Sequence, residues 1–341
     1  MFFIFFYSCD IIYLVIKMDE FKKRNIDKFY SETELISSYY YKKDKETSIV
    51  VASDIHYHEH IDKELFKLLV KYVKETNPDF VLMPGDQIET INFIDDINER
   101  QFFESIIREM AEVAPVIIVP GNHEIGDFDL NKCVNRNYSV NIKALNYFDS
   151  LNKIKNVYFL NNEQTKIKDI MFLGFNPRIG TYLKKGDRET NAMFIEDYIK
   201  SGLQMAEADF NILLTHSSML LDDDDVKKTI DDFKRTDLVV SGHWHDGYLP
   251  KKLDKLLGNT NAGLFLTPLI KPYPGIMCRG VHDFGRGYIF ISQGFRKWTA
   301  DITLLNAFEK FTANDVEKLI ISNPEILKGN SDIVKSIGKR F

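Results

Sequence analysis

Apolar residues follow two rhythms along the middle of the chain. Ser48-Ile49-Val50-Val51-Ala52 is a short run of β-branched and small apolar residues after one serine, the pattern of a strand buried on both faces. From Ile61 the apolar positions recur at Leu65, Leu68, Leu69, Tyr72 and Val73, spacings of three and four that predict a helix closed before Pro78. Phe80-Val81-Leu82-Met83 predicts the next buried strand. Phe102, Ile106, Ile107 and Met110 predict a second helix, and Val116-Ile117-Ile118-Val119 a third strand. Further strands are expected at Val157-Tyr158-Phe159-Leu160, Ile170-Met171-Phe172-Leu173, Asn211-Ile212-Leu213-Leu214, Asp237-Leu238-Val239-Val240 and Tyr288-Ile289-Phe290-Ile291. Strand–helix–strand alternation predicts an α/β fold with parallel neighbours. The runs around Phe159 and Phe172, separated by a short polar stretch, suggest an antiparallel pair. Two packed mixed β-sheets flanked by helices accommodate both patterns.

The same pattern divides the chain. Residues 48–304 read as one catalytic body, and residues 18–47, charged and tyrosine-rich, as a connector into it. A Gly- and Pro-rich strip over residues 249–287 reads as a long loop or small cap. Residues 305–341 return to amphipathic spacing and end in a charged stretch, which predicts a helical extension and a polar tail. Residues 1–17 are strongly apolar up to Lys17 and contain Asp10. That run falls short of the roughly 20 apolar residues a spanning helix takes, and it lacks a cationic start or a small-residue cleavage site. Two readings stand: a short membrane anchor with contact through residues 2–16, or a start at Met18. Localisation is correspondingly cytoplasmic or membrane-associated through this segment.

Composition narrows the partners. A net charge of −6 provides no global field for nucleic acid, so duplex binding is not expected. Only Cys9, Cys133 and Cys278 are present, far apart and without Cys-x-x-Cys spacing. A disulfide framework or thiolate zinc site is thereby disfavoured, and a reducing compartment is the natural reading.

The chemistry sits immediately after the strands. The first ends in Asp54-Ile55-His56, the second in Gly85-Asp86, and the third in Gly121-Asn122-His123-Glu124. The strand at residues 211–214 runs into His216, and that at 237–240 into Gly242-His243-Trp244-His245. Ligands of open α/β sheets gather beyond the carboxyl ends of strands, so these loops should converge on one rim. Each element alone is a weak signal; five in this arrangement are a strong one. Imidazole nitrogen with carboxylate or amide oxygen, and no thiolate, suits two divalent ions of the Mn²⁺, Zn²⁺ or Fe²⁺ kind. A carboxylate has two oxygens and can bridge two cations, and Asp86, between the other loops in sequence, is the natural bridge. The i,i+2 pairs Asp54/His56 and His243/His245 let both side chains of a pair reach one centre.

Taken together, Asp54-x-His56, Gly85-Asp86, Gly121-Asn122-His123-Glu124, His216 and Gly242-His243-x-His245 resemble the signature of the calcineurin-like metallophosphoesterase superfamily. The match spans roughly residues 49–294. Ser53-Asp54-Ile55-His56, Ser241-Gly242-His243-Trp244-His245-Asp246-Gly247 and Ile291-Ser292-Gln293-Gly294 are most similar to the bacterial membrane-linked members of the YkuE/YaeI type. The resemblance implies a metallophosphoesterase-type sandwich with Asp54, His56 and His245 on one metal, Asn122, His216 and His243 on the other, and Asp86 bridging. It implies that His123 is a catalytic histidine and not a ligand, with Glu89 at the position of its carboxylate partner. Protein serine/threonine phosphatases carry an arginine where this chain has Thr90, and purple acid phosphatases carry a tyrosine where it has Glu89 and a glycine where it has His56. Neither of those two branches is therefore supported.

The implied activity is hydrolysis of a phosphate ester, a diester in preference, by a metal-bridging hydroxide with His123 as general acid. Lipid-linked phosphoesters are among the candidate substrates, and Arg279 and His282 in the long loop are candidate substrate contacts. The alternatives are a nuclease on the same dinuclear site and a non-catalytic metal-binding scaffold.

Overall fold

The computed structural model describes residues 30–36, 47–58, 61, 63–127, 137–183, 188–204, 208, 210–217, 236–243, 280–283, 288–295 and 316–322. In chain order the elements are β1 (Tyr30–Ile36), β2 (Thr47–Val51), α1 (Lys63–Thr76), β3 (Phe80–Pro84), α2 (Ile97–Val113), β4 (Val116–Val119), α3 (Asn122–Ile125), β5 (Gly126–Asp127), β6 (Asn137–Val140) and α4 (Ile142–Ser150). They continue as β7 (Val157–Phe159), β8 (Glu163–Ile167), β9 (Ile170–Phe175), α5 (Ile179–Leu183), α6 (Arg188–Ser201), β10 (Phe210–Ser217), β11 (Leu238–Gly242), β12 (Gly280–Asp283), β13 (Tyr288–Ile291) and β14 (Val316–Ser322).

Two six-stranded mixed sheets form the body, as the alternating pattern implied. The first has the order β1-β14-β2-β3-β4-β7, with β2, β3, β4 and β7 mutually parallel. The second has the order β12-β13-β11-β10-β9-β8, with β13, β11, β10 and β9 parallel and an antiparallel strand at each edge. Strand side chains alternate between faces, so each central strand of the first sheet feeds two cores. Val50, Val81, Met83, Val116 and Ile118 pack under α1, α2 and α4 against Phe66, Leu69, Phe103, Ile107 and Phe148. The alternate residues Ile49, Val51, Phe80, Leu82, Ile117 and Val119 face Phe172, Ile212, Leu214, Leu238, Val240 and Phe290 of the second sheet. This double burial is why these strands read as unbroken apolar runs. Asp96 caps α2 by accepting from the N–H groups of Asn98 and Glu99, and Asn141 caps α4 by accepting from Ala144.

Two expectations are corrected. The strands near Phe159 and Phe172 do not pair: β7 lies at the edge of the first sheet and β9 in the second. The antiparallel partner of β9 is the polar stretch itself, β8, whose exposed residues mark an edge strand. The helix expected beyond residue 305 is also absent over Val316–Ser322. That segment is β14, inserted between β1 (parallel) and β2 (antiparallel), with fully buried Leu319 opposite Ile49. The reason is non-local: the edge of β2 offers backbone groups that a further strand can pair, and Leu319 finds a buried place opposite Ile49. Within the expected connector, residues 30–36 are likewise a strand. Among the described residues no helix is long and apolar enough to cross a membrane, and residues 2–16 lie outside them.

Candidate metal centre

The carboxyl ends of β2 and β3 continue past the sheet as a paired ladder. Ala52 N–H donates to Leu82 O at 2.9 Å, Asp54 N–H to Gly85 O at 3.1 Å, His56 N–H to Asp86 O at 3.0 Å and Tyr57 N–H to Gln87 O at 2.9 Å. Along it Asp54, His56 and Asp86 adopt left-handed backbone with φ of 54°, 50° and 51°, and His243 after β11 has φ 78°. Non-glycine residues in that region cost of order 1–3 kcal/mol and cluster at functional sites. Ile55 drops into the helix-side core while its neighbours Asp54 and His56 stay at the rim. Two glycines make room. A side chain on Gly85 (φ +84°) would overlap the His216 ring, and one on Gly242 would overlap Ser53 Oγ and Asp54 Oδ2.

Asp54, His56 and Asp86 offer ligand atoms within 4.8 Å of one another, and so do Asp86, His216 and His243. Asp86 is common to both groups. Its Oδ2 lies 2.9 Å from His216 Nε2 and 3.7 Å from His56 Nε2. His216 Nδ1 faces Pro84 O at 2.8 Å, which leaves Nε2 turned to the site. His243 Nδ1 is 3.2 Å from that Nε2, and the His243 N–H donates to both oxygens of Asp54, at 3.0 and 3.1 Å. Ser53 Oγ donates its one proton to Asp54 Oδ2, with Pro84 O a more distant acceptor at 3.2 Å.

The charges are strongly coupled. Burial pushes the His216 pKa down, but the Asp86 carboxylate and its hydrogen bond outweigh that and raise it to about 9. Burial likewise opposes His56, which ends raised through Glu89, Asp86 and Asp54. Burial would raise Asp86, yet His216, His123 and His56 hold it well below the carboxylate range.

These residues fit a pair of divalent cations. The side-chain oxygen of Asn122 (Oδ1) is buried without a hydrogen-bond partner, the condition of a ligand atom, since buried polar oxygens are otherwise nearly always paired. The nitrogen and oxygen donor set, with one shared carboxylate, matches Mn²⁺, Zn²⁺ or Fe²⁺. His245 and Arg279 lie outside the described residues; His282 is on β12 opposite Ile289.

His123 sits at the rim, half-buried. Its N–H donates to Asp86 Oδ1 at 2.9 Å, and its ring meets the His56 ring edge-on at 4.6 Å. The expected link to Glu89 takes a different form. His123 Nδ1 faces the Glu89 backbone carbonyl at 2.8 Å, while the Glu89 carboxylate lies 2.8 Å from His56 Nδ1. One residue thus orients two imidazoles, one through its backbone and one through its side chain.

Glu124, whose role the strand-end pattern does not reveal, is fully buried. Its Oε2 accepts from Gly121 N at 2.6 Å and Asp86 N at 2.9 Å, and its Oε1 from Gln87 N at 2.7 Å and Ile88 N at 3.0 Å. Burial and the Asp86 charge push its pKa up to about 7 against the lowering effect of those N–H groups. The available signal was a glutamate three residues after the Gly121 N-cap of α3, placed to accept from the N-cap N–H.

With strand-end candidate ligands, a shared carboxylate and an unpartnered amide oxygen in place, comparison with known families is direct. The family model described as calcineurin-like phosphoesterase matches residues 47–247. The chain belongs to this family. Among its relatives is an uncharacterized metallophosphoesterase of Helicobacter pylori, 25% identical over 208 residues, which are 61% of this chain and 47% of that protein. The chain thus spans about half the length of that curated relative. Among solved structures, a dimetal phosphatase from Danio rerio aligns with a TM-score of 0.37 and 10% identity over 75% of this chain and 90% of its own. The phosphopantetheinyl hydrolase PptH of Mycobacterium tuberculosis aligns at 0.37 and 11% over 73% and 90%.

Proposed function

We propose that this calcineurin-like phosphoesterase hydrolyses phosphate esters, with a preference for diesters, at a centre of two divalent metals. The observation that carries the reading is Asp86, one buried carboxylate shared between an Asp54/His56 group and a His216/His243 group. Asn122, with its unpartnered Oδ1, completes the second group, and His245 is assigned to the first. Bound there, divalent cations supply Lewis acidity toward phosphoryl oxygens and lower the pKa of water to near neutrality.

The protein's own groups do the remainder. Asp54 and Asp86 would offset the charge of the cations, and the buried imidazoles of His56 and His216 and the half-buried one of His243 would present nitrogen to them. The Glu89 carbonyl accepts from His123 Nδ1, so Nε2 is the atom left to deliver a proton to the leaving oxygen. Thr90 supports the diester preference, because no arginine at that position clamps the extra charge of a monoester. The apolar residues 2–16 and the Gly242-His243-Trp244-His245 run support placement with the membrane-linked members of the family.

The test is turnover of bis(p-nitrophenyl) phosphate and of p-nitrophenyl phosphate by the Mn²⁺-loaded protein, with metal content measured alongside. Diester hydrolysis above monoester hydrolysis is expected. His123→Ala should lower kcat by about 10²–10⁴ with metal content retained, whereas Asp86→Ala should lower both. No turnover of either ester by the loaded protein, or full activity and metal content in Asp86→Ala, overturns the reading.

A further inference from the structure

We propose that Glu124 is the positioning residue of the dinuclear centre, the group that sets the bridging geometry of Asp86 without touching a metal; this rests on Asp86 being the bridge. Three successive backbone N–H groups, those of Asp86, Gln87 and Ile88, turn toward one carboxylate. Such a concave row of donors follows from the left-handed turn at Gly85 (φ 84°) and Asp86 (φ 51°). The fourth donor, Gly121 N–H at 2.6 Å, comes from the loop after β4. Glu124 therefore ties the β3 loop to the β4 loop, and its two oxygens take all four bonds with no water between.

The tie acts on Asp86 from both ends. Glu124 Oε2 holds the backbone N–H of Asp86, while the N–H of His123, the residue before Glu124, holds Asp86 Oδ1 at 2.9 Å. Oδ1 is thereby held, and Oδ2 is turned toward His216 Nε2 at 2.9 Å and His56 Nε2 at 3.7 Å. Asn122, the amide ligand, starts the same four-residue helix, so one carboxylate fixes the spacing between a bridging ligand and a terminal ligand. A neutral amide at position 124 would turn an NH₂ toward N–H groups that need an acceptor. Each buried donor left unmet is destabilising, and the β3 loop can avoid that only by moving.

The experiment compares wild type, Glu124→Gln and Glu124→Asp in Mn²⁺ titration calorimetry and low-temperature EPR, with thermal melting of each protein. Wild type is expected to bind two Mn²⁺ with an exchange-coupled spectrum; failure of wild type to do so sinks the dinuclear reading itself, separately from any role of Glu124. Against a coupled wild type, Glu124→Gln should bind Mn²⁺ about 10- to 100-fold more weakly, as losses of outer partners of ligands usually do, and its coupling should weaken or vanish. If Glu124→Gln does not fold, Glu124→Asp decides by the same readouts, because it keeps the charge and moves the acceptors back by one methylene. A folded variant that melts lower yet keeps wild-type Mn²⁺ affinity and coupling overturns the proposal, since Glu124 would then be structural alone.

Discussion

The two ends of the central strands use the same device to opposite purpose. At the amino ends, single aspartates pair neighbouring strands. Asp79 before β3 accepts from Ser48 N at 3.1 Å, and Asp237 before β11 accepts from Asn211 N at 2.7 Å. Asp79 is partly exposed and also meets Lys168 Nζ at 3.4 Å, while Asp237 is buried away from the cluster at the other end. At the carboxyl ends Asp54, Asp86 and Glu124 are pooled with His56, His216 and His243, on a backbone that turns left-handed at four non-glycine positions. A carboxylate on a strand-end N–H is therefore an ordinary joint when isolated and part of a candidate metal centre when several converge. The difference lies in crowding of buried charge, since the residue types overlap.

That contrast is open to attack, most forcibly at the crowded end. Gly85→Ala places a methyl group against the His216 ring at a left-handed position. It is expected to cost about 3 kcal/mol or more in urea unfolding and to weaken metal binding, combining backbone strain with overpacking. A stable variant with intact metal content would show that the close approach is dispensable. Next comes Glu89→Ala, which removes the carboxylate at His56 but keeps the carbonyl at His123. Metal affinity should fall about 10- to 100-fold. If kcat falls instead with Mn²⁺ affinity unchanged, the carboxylate serves His123 and the division of labour drawn above is wrong.

The smallest effect belongs to the other end, with the opposite sign. Burial raises the Asp237 pKa from 3.8 to about 6 against its hydrogen bonds to Asn211. The folded state holds that proton more tightly than the unfolded chain, so this contribution is fully present below about pH 4 and lost as pH rises through about 6. Asp237→Asn keeps an acceptor and has no proton to lose. Relative to wild type it should gain about 1–2 kcal/mol between pH 4.5 and pH 8, read from chelator-treated urea melts. A gap that stays constant with pH would mean that Asp237 is solvated well enough to carry its charge freely.

Much of this molecule is written locally. The unbroken apolar runs at residues 48–52, 80–83 and 116–119 announce strands buried on both faces, because a strand between a helix layer and a second sheet has no wet side. A strand also ends where its apolar run ends, so the places of Asp54, His56, Asp86, Asn122, His216 and His243 beyond the strand ends are legible, and the fold brings Asp86 within reach of Asp54 and His56 on one side and His216 and His243 on the other. What only the tertiary structure decided is which distant groups are matched. Glu89 divides its backbone and carboxylate between His123 and His56, and Glu124 gathers four N–H groups from two loops. β8 takes the place beside β9, and β14 fills the edge of β2 instead of coiling. Spacing along the chain encodes which face a residue presents, but pairing across it depends on which donors and edges the packed sheets leave unmet.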